Sequence, residues 1–286
     1  MSHENHNQIH HLSGDEIHTL TDEVQLTVTS PPYLNAINYE AHQDESKSDF
    51  RERKPPNLEQ YLETQKNIFQ SLFKATNDGG YCAVVIAHTK GEEGDWCPLP
   101  HHFAEMLDTE TEWNFHERII WNKVTGGVSR FGVTLQHEYP SYYYPNQMHE
   151  EIQVWRKGEI KRTKQEDSKF NSRAEHVKKE IANNVWHIAP EPPNKYIEKH
   201  PCPFPEEIPH RLISLYSNKN DLIADPMNGI GTTAKVAKHL ERNYIGTDIS
   251  EEYVKTARER IENESYTRRE QLIPVMEKIE VPDLDL

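Results

Sequence analysis

The chain lacks any run near the roughly 18 apolar residues a membrane-spanning helix needs, so no transmembrane segment is expected. Its first residues, Met1 to His11, are rich in His and Asn and have no hydrophobic centre, which excludes a secretory signal peptide. Cysteine is scarce: Cys82, Cys97 and Cys202 are widely spaced and odd in number. That argues against a disulfide framework or a zinc cluster and for a reducing, cytoplasmic compartment. Positive charge is also short, with Lys+Arg 32 against Asp+Glu 47 and a net charge of −15. Phosphate contacts need Lys and Arg, so any nucleic-acid partner must meet a local basic face on an acidic whole. The 17 histidines are scattered and read as solvated imidazoles, with no metal expected. No repeat of solenoid period is present.

What is present is 286 residues, 35% hydrophobic and 28% charged, enough for a sizeable core. Val24-Gln25-Leu26-Thr27-Val28 alternates as a strand. Residues 34–57 form a long polar stretch. Leu58 to Thr76 carries a helical stripe (Tyr61, Leu62, Ile68, Phe69, Leu72, Phe73), and Gly79-Gly80 is expected to stop that helix. Tyr81 to Ala87 is a buried-type strand, about His101 to Thr111 a helix, and Arg118 to Trp121 and Glu151 to Trp155 two further strands. Residues 156–184 hold nine Lys/Arg against five acidic residues, a local reversal of the overall charge. Lys157, Lys161, Arg162, Lys164, Lys169 and Arg173 are therefore the candidates for facing phosphate. With residues 34–57, this segment is the candidate target-recognition insertion in what reads as a single domain, 1–286. A helix is expected from Ile208 to Leu215, with Pro209 in its first turn.

Two stretches carry chemistry. In Thr29-Ser30-Pro31-Pro32-Tyr33 the tandem prolines must end the preceding strand, because each fixes φ and removes an N–H. The result is a rigid loop at a sheet edge whose carbonyls no ladder consumes. Ser30 adds a hydroxyl and Tyr33 a flat π-face with a polar tip, a set suited to a planar ring bearing an amine. The second stretch spans residues 221–261 and reads as strand, loop, helix, strand, helix, the unit of a doubly wound sheet. Gly229 and Gly231 let backbone approach a ligand at a helix N-terminus. A dinucleotide site would want a third glycine, which Thr233-Ala234 does not supply. Asp225 ends one strand and Asp248 the next; the first would repel pyrophosphate and suit a cationic ligand, the second would hold ribose hydroxyls.

Together, Asp225-Pro226-Met227-Asn228-Gly229-Ile230-Gly231-Thr232-Thr233 and Thr29-Ser30-Pro31-Pro32-Tyr33 resemble the cofactor loop and catalytic tetrapeptide of the β class of DNA amino-methyltransferases. The Ser-Pro-Pro-Tyr form is that associated with cytosine-N4 enzymes. Ile120-Trp121-Asn122-Lys123, His149-Glu150-Glu151-Ile152 and the segment from His200 through Phe204 to Pro205 are similar too, so the likeness spans residues 9–264. Met227 departs from the family's usual Phe, and no dedicated recognition domain is evident.

The resemblance implies an α/β fold, a doubly wound, mostly parallel, Rossmann-like sheet with circularly permuted motif order. It implies S-adenosylmethionine as cofactor and S-adenosylhomocysteine as product, bound by Thr29, Phe204, residues 225–229, Gly231, Thr232, Thr233, Asp248 and Ile249. It implies catalysis by Ser30, Pro31, Pro32 and Tyr33 on an extruded cytosine of double-stranded DNA, within restriction–modification or as an orphan. A cognate endonuclease and a homodimer are implied partners. The same chemistry on structured RNA, adenine-N6 specificity, and an inactive nucleic-acid-binding subunit remain alternatives. Cys202 as a carbon-5 nucleophile is disfavoured, since it precedes the cofactor strand in a Pro-rich link. Ser30 lacks the Gly-x-Ser-x-Gly setting of an acyl nucleophile.

Overall fold

A computed structural model of the chain describes residues 3–34, 57–90, 96–123, 147–159, 181, 183–191 and 203–266. The strands are β1 (Gln8–His11), β2 (Val24–Thr29), β3 (Thr76–Ile86), β4 (Thr89–Lys90), β5 (Trp96–Cys97), β6 (Asn114–Asn122), β7 (His149–Arg156), β8 (Val185–His187), β9 (Leu222–Asp225) and β10 (Asn243–Asp248). The helices are α1 (Leu58–Ala75), α2 (Leu99–Glu110), α3 (Glu207–Tyr216), α4 (Thr232–His239) and α5 (Glu251–Asn263). Eight strands form one sheet in the order β1-β10-β9-β2-β3-β7-β6-β8, with β4 and β5 a separate pair. Among the described strands of that sheet, only β7 runs against its neighbours. The expected doubly wound, mostly parallel sheet is the one observed.

Side chains alternate to two cores, one on each face of the sheet. Ala83, Val85, Ile152, Val154 and Ile223 point to the layer formed by α3, α4 and α5. Cys82, Val84, Ile86, Trp155, Leu222 and Ala224 point to the layer of α1 and α2. Both faces being covered explains why β3 and β9 read as unbroken apolar runs. The Asn57 side chain accepts from the Gln60 amide at 2.8 Å while the Gln60 carboxamide accepts from the Asn57 amide, a reciprocal cap that starts α1 just before its apolar stripe.

Gly79-Gly80 does not stop α1. The helix ends at Ala75, Thr76 is already extended, and both glycines lie within β3. Residues 77–80 bulge from the ladder, since Val24 pairs with Thr76 but Leu26 with Tyr81. Gly79 sits at φ 82°, and a Cβ on Gly80 would lie 2.6 Å from the Thr76 methyl, so the bulge needs both. β1 and β8 were not foreseen: at four and three residues they carry too little alternation, and each is a strand because of the neighbour it lies beside.

Candidate active site

β9 and β2 are parallel neighbours at the centre of the sheet. The chain leaves β9 toward β10 on one side and leaves β2 toward β3 on the other, so a crevice opens between their carboxyl ends. The two loops that carry the sequence signals meet there. The Thr29 hydroxyl donates to Asp225 Oδ1 at 2.8 Å, and the Met227 amide donates to the same oxygen at 3.2 Å. Thr29 and Asp225 are 0% and 2% exposed. Burial pushes the Asp225 carboxyl up to about 7, with the Thr29 bond pulling the other way. Thr233 fastens the first turn of α4 to β2, its hydroxyl donating to the Val28 carbonyl at 3.0 Å.

The loop after β9 is held from β10. The Asn228 amide donates to the Thr247 carbonyl at 3.0 Å, and the Thr247 hydroxyl donates to the Pro226 carbonyl at 3.0 Å. Asp248 Oδ2 accepts from the Gly229 amide at 2.8 Å and Oδ1 from the Ser250 amide at 2.9 Å. Burial raises the Asp248 carboxyl above the usual carboxylate range, and those two amides oppose the rise. Gly229 at φ 50° and Gly231 at φ 80° take the left-handed backbone that ends the loop at the start of α4. Gly14 packs flat against the loop: a Cβ there would lie 2.6 Å from the Pro226 carbonyl oxygen. Replacing Gly14 with alanine should therefore cost about 1–3 kcal/mol of stability. It should also weaken ligand binding at this loop, both readable from melting curves with and without ligand.

These loops enclose a cleft of about 260 Å³. Ser30 and Pro32 line it from the β2 side, Asp225 through Gly229 and Thr232 from the β9 side, and Asp248 and Ile249 from the end of β10; Phe204 closes another wall. Ile249 is 72% exposed, an apolar face at the rim. Thr29, Gly231 and Thr233 are buried behind the lining, and Pro31 is buried while Pro32 is exposed. Tyr33 stands to the side: its hydroxyl donates to Glu150 Oε2 at 2.6 Å, and Glu150 Oε1 pairs with the Lys123 ammonium.

Sequence reasoning missed the wall supplied by α1. Gln65 lines the cleft, is 3% exposed, and its Oε1 has no hydrogen-bond partner. The signal existed, because Gln65 falls inside the apolar stripe, four residues after Tyr61 and three before Ile68. A polar side chain at such a position asks for a partner. Ser13, Ile68 and Tyr253 also line the cleft unforeseen.

Among the described residues the lining contains no Lys, Arg or His. It offers two carboxylates and two unpartnered buried carbonyl oxygens, Gln65 Oε1 and Asn228 Oδ1. Such a site repels phosphate and fits a ligand bringing amines, hydroxyls and positive charge. S-adenosylmethionine has that donor set.

Lys157 is corrected as a phosphate contact. Its ammonium donates to the Phe73 and Thr76 carbonyls at 2.7 and 2.8 Å and lies 4.7 Å from the Phe73 ring centroid, so it closes the end of α1. Lys161, Arg162, Lys164, Lys169 and Arg173 lie outside the described residues, as do Cys202 and all but the ends of the two candidate recognition segments. Cys82 and Cys97 are buried free thiols whose ionisation burial opposes. Among the described residues no helix is long and apolar enough to cross a membrane.

The sequence pattern of a DNA methylase family covering N6 and N4 enzymes matches residues 24–259. The orphan methyltransferase M.BamHII of Bacillus amyloliquefaciens is 28% identical over 262 residues, covering 84% of this chain and 89% of that protein. Among solved structures, PvuII DNA methyltransferase (cytosine-N4-specific) superposes with a TM-score of 0.65 at 18% identity, covering 90% of this chain and 87% of that one. A DNA modification methylase of Thermus thermophilus, complexed with S-adenosyl-L-methionine, gives 0.65 at 21% identity, covering 89% and 94%. These two share the fold.

Proposed function

This chain belongs to the N6/N4 DNA methylase family, and from that premise we propose that it methylates the exocyclic N4 amine of cytosine in double-stranded DNA. The observation that supports this best is the shared cleft. Ser30 and Pro32 line the same cavity as Asp225, Gly229 and Asp248, and the Thr29–Asp225 bond ties the two loops together.

Bound S-adenosylmethionine supplies an electrophilic methyl group on a sulfonium. Asp248, Ile249, Gln65 and the Asn228–Gly229 backbone hold it. A cytosine amine is a weak nucleophile because its lone pair is delocalised into the ring, and in a duplex it is also paired. The base must therefore leave the stack. The Ser30 hydroxyl and the Pro31 carbonyl accept its two N–H bonds, which draws the nitrogen toward tetrahedral geometry and receives the proton it sheds. Tyr33 supplies a stacking face. The loops contribute chiefly proximity and alignment. Lys161, Arg162, Lys164, Lys169 and Arg173 supply phosphate contacts, and the enzyme works as an orphan or beside a nuclease.

Methyl transfer from labelled cofactor to duplex DNA and to ribosomal RNA, read by nucleoside mass analysis, tests this. N4-methylcytosine in DNA upholds it. N6-methyladenine would move the base assignment, label in RNA alone would remove DNA, and label in neither would favour a non-catalytic binding subunit.

The site also carries a pH dependence. Asp225 titrates near 7 in the folded protein, above its ordinary range, so its ionised form predominates only at higher pH. A cationic ligand favours that form, and cofactor affinity should rise as pH increases through about 7. Without ligand the sign is opposite: a raised carboxyl costs folded stability as pH climbs from the ordinary carboxylate range through about 7. Calorimetric titrations at pH 6 and 8 on the unaltered chain and on Asp225→Asn check this, since the variant should lose the dependence.

A further inference from the structure

The loop after β2 is restrained from an unexpected quarter. Tyr33 reaches past the end of β3 and donates its hydroxyl to Glu150 on β7. The other Glu150 oxygen holds the ammonium of Lys123, which directly follows β6. Both charged side chains are 8% exposed. Lys123 also lies 4.9 Å from the centroid of the Trp121 ring, and the Trp121 indole donates to the Ile188 carbonyl at 2.8 Å. The Lys123 amide donates to the Met148 carbonyl at 2.9 Å, so β6 and β7 are joined where the pair sits. The carboxylate is thus fixed from its own strand, from the ammonium and from the ring beneath it.

A buried ion pair is a poor device for stability alone, because desolvation offsets most of its attraction and an apolar pair of similar volume does as well. What an apolar pair cannot provide is an acceptor for a phenol. We propose that the Lys123–Glu150 pair is a positioning device for the base site. It captures the Tyr33 hydroxyl, so that the ring offers the target base a fixed π-face and keeps its oxygen from competing for the amine's hydrogen bonds. Lys123 and Glu150 are positioning residues acting through Tyr33. The proposal rests on the methyl-transfer reading above.

The test compares the unaltered chain, Tyr33→Phe, the paired Lys123→Met/Glu150→Leu, and all three changes together, measuring kcat, KM for DNA, cofactor Kd and melting temperature. The paired replacement should lower kcat roughly 10- to 100-fold, as loss of orientation does. Its cofactor Kd should stay within about twofold, because the tether lies outside the cofactor cleft. Tyr33→Phe should fall by a similar factor, and the triple variant should be no slower than the paired one by more than about twofold, since each change removes the same tether. Unchanged kcat in the paired variant overturns the proposal, and so does a triple-variant loss equal to the product of the separate losses. If the paired variant fails to fold, Tyr33→Phe decides alone: undiminished kcat overturns the tether. No transfer by the unaltered chain to any nucleic acid would overturn the methyl-transfer reading and this inference with it. Transfer that survives Tyr33→Phe unchanged would overturn only the inference.

Discussion

Replacing Ser30 with alanine should lower methyl transfer by on the order of 10²-fold, while cofactor affinity stays within about twofold. The asymmetry follows from where Ser30 sits. It ends β2 as a half-buried residue lining the cleft, yet no bond that shapes the cofactor loop passes through its side chain. Those bonds run through Thr29, Thr233 and Asp248. Truncating the hydroxyl should therefore remove one acceptor for the target amine and leave the neighbouring loop intact. Single-turnover rates with pre-bound cofactor, set beside calorimetric Kd values, read both halves. Full activity in Ser30→Ala would discard the hydroxyl as an acceptor for the amine; a large loss of cofactor affinity would make it part of the cofactor site instead.

Asp248→Ala should act in the opposite sense, weakening cofactor binding by roughly 10- to 100-fold before it touches the chemical step. The carboxylate anchors the Gly229 and Ser250 amides, and hydrogen bonds to a charged group contribute about 1.5–3 kcal/mol each. Without it the loop at Gly229 loses its link to β10, and the first turn of α5 loses the residue before its cap. A melting temperature lowered by several degrees is expected alongside, in line with about 1–3 kcal/mol for an unmade buried bond. At saturating cofactor kcat should largely recover. Unchanged affinity with a lowered melting temperature would reduce Asp248 to a clamp between strand and helix.

Much of the site was legible because its signals are local. The tandem prolines end β2 where they must, and the loop from Asp225 to Gly231 carries its glycines where the backbone turns left-handed. The long helix α1 announced itself through a stripe and a cap. What escaped depends on partners distant in sequence. β1 and β8 are too short to show a period. Lys157 read as a phosphate ligand because charge was the only visible property; its contacts to Phe73 and Thr76 lie about eighty residues away. Glu150 and Lys123 stood in segments already noted as similar to a known family, but nothing in their spacing disclosed a shared hydroxyl. Gln65 was the one miss with a local sign, a carboxamide inside an apolar stripe.

The order of strands also constrains how the protein comes into being. β1 finds its neighbour in β10, and β2 one of its two neighbours in β9, so the chain's opening strands wait for its last third. The Thr29–Asp225 bond spans 196 residues. A chain emerging from the ribosome holds β2 and β3 with one flank unpaired until β9 and β10 arrive, a long interval for an apolar edge. Contacts of such separation form slowly. Synthesis halted before residue 222 would leave no cleft at all, only half a sheet with its central edge open to other chains. Active enzyme therefore appears only when translation is nearly complete.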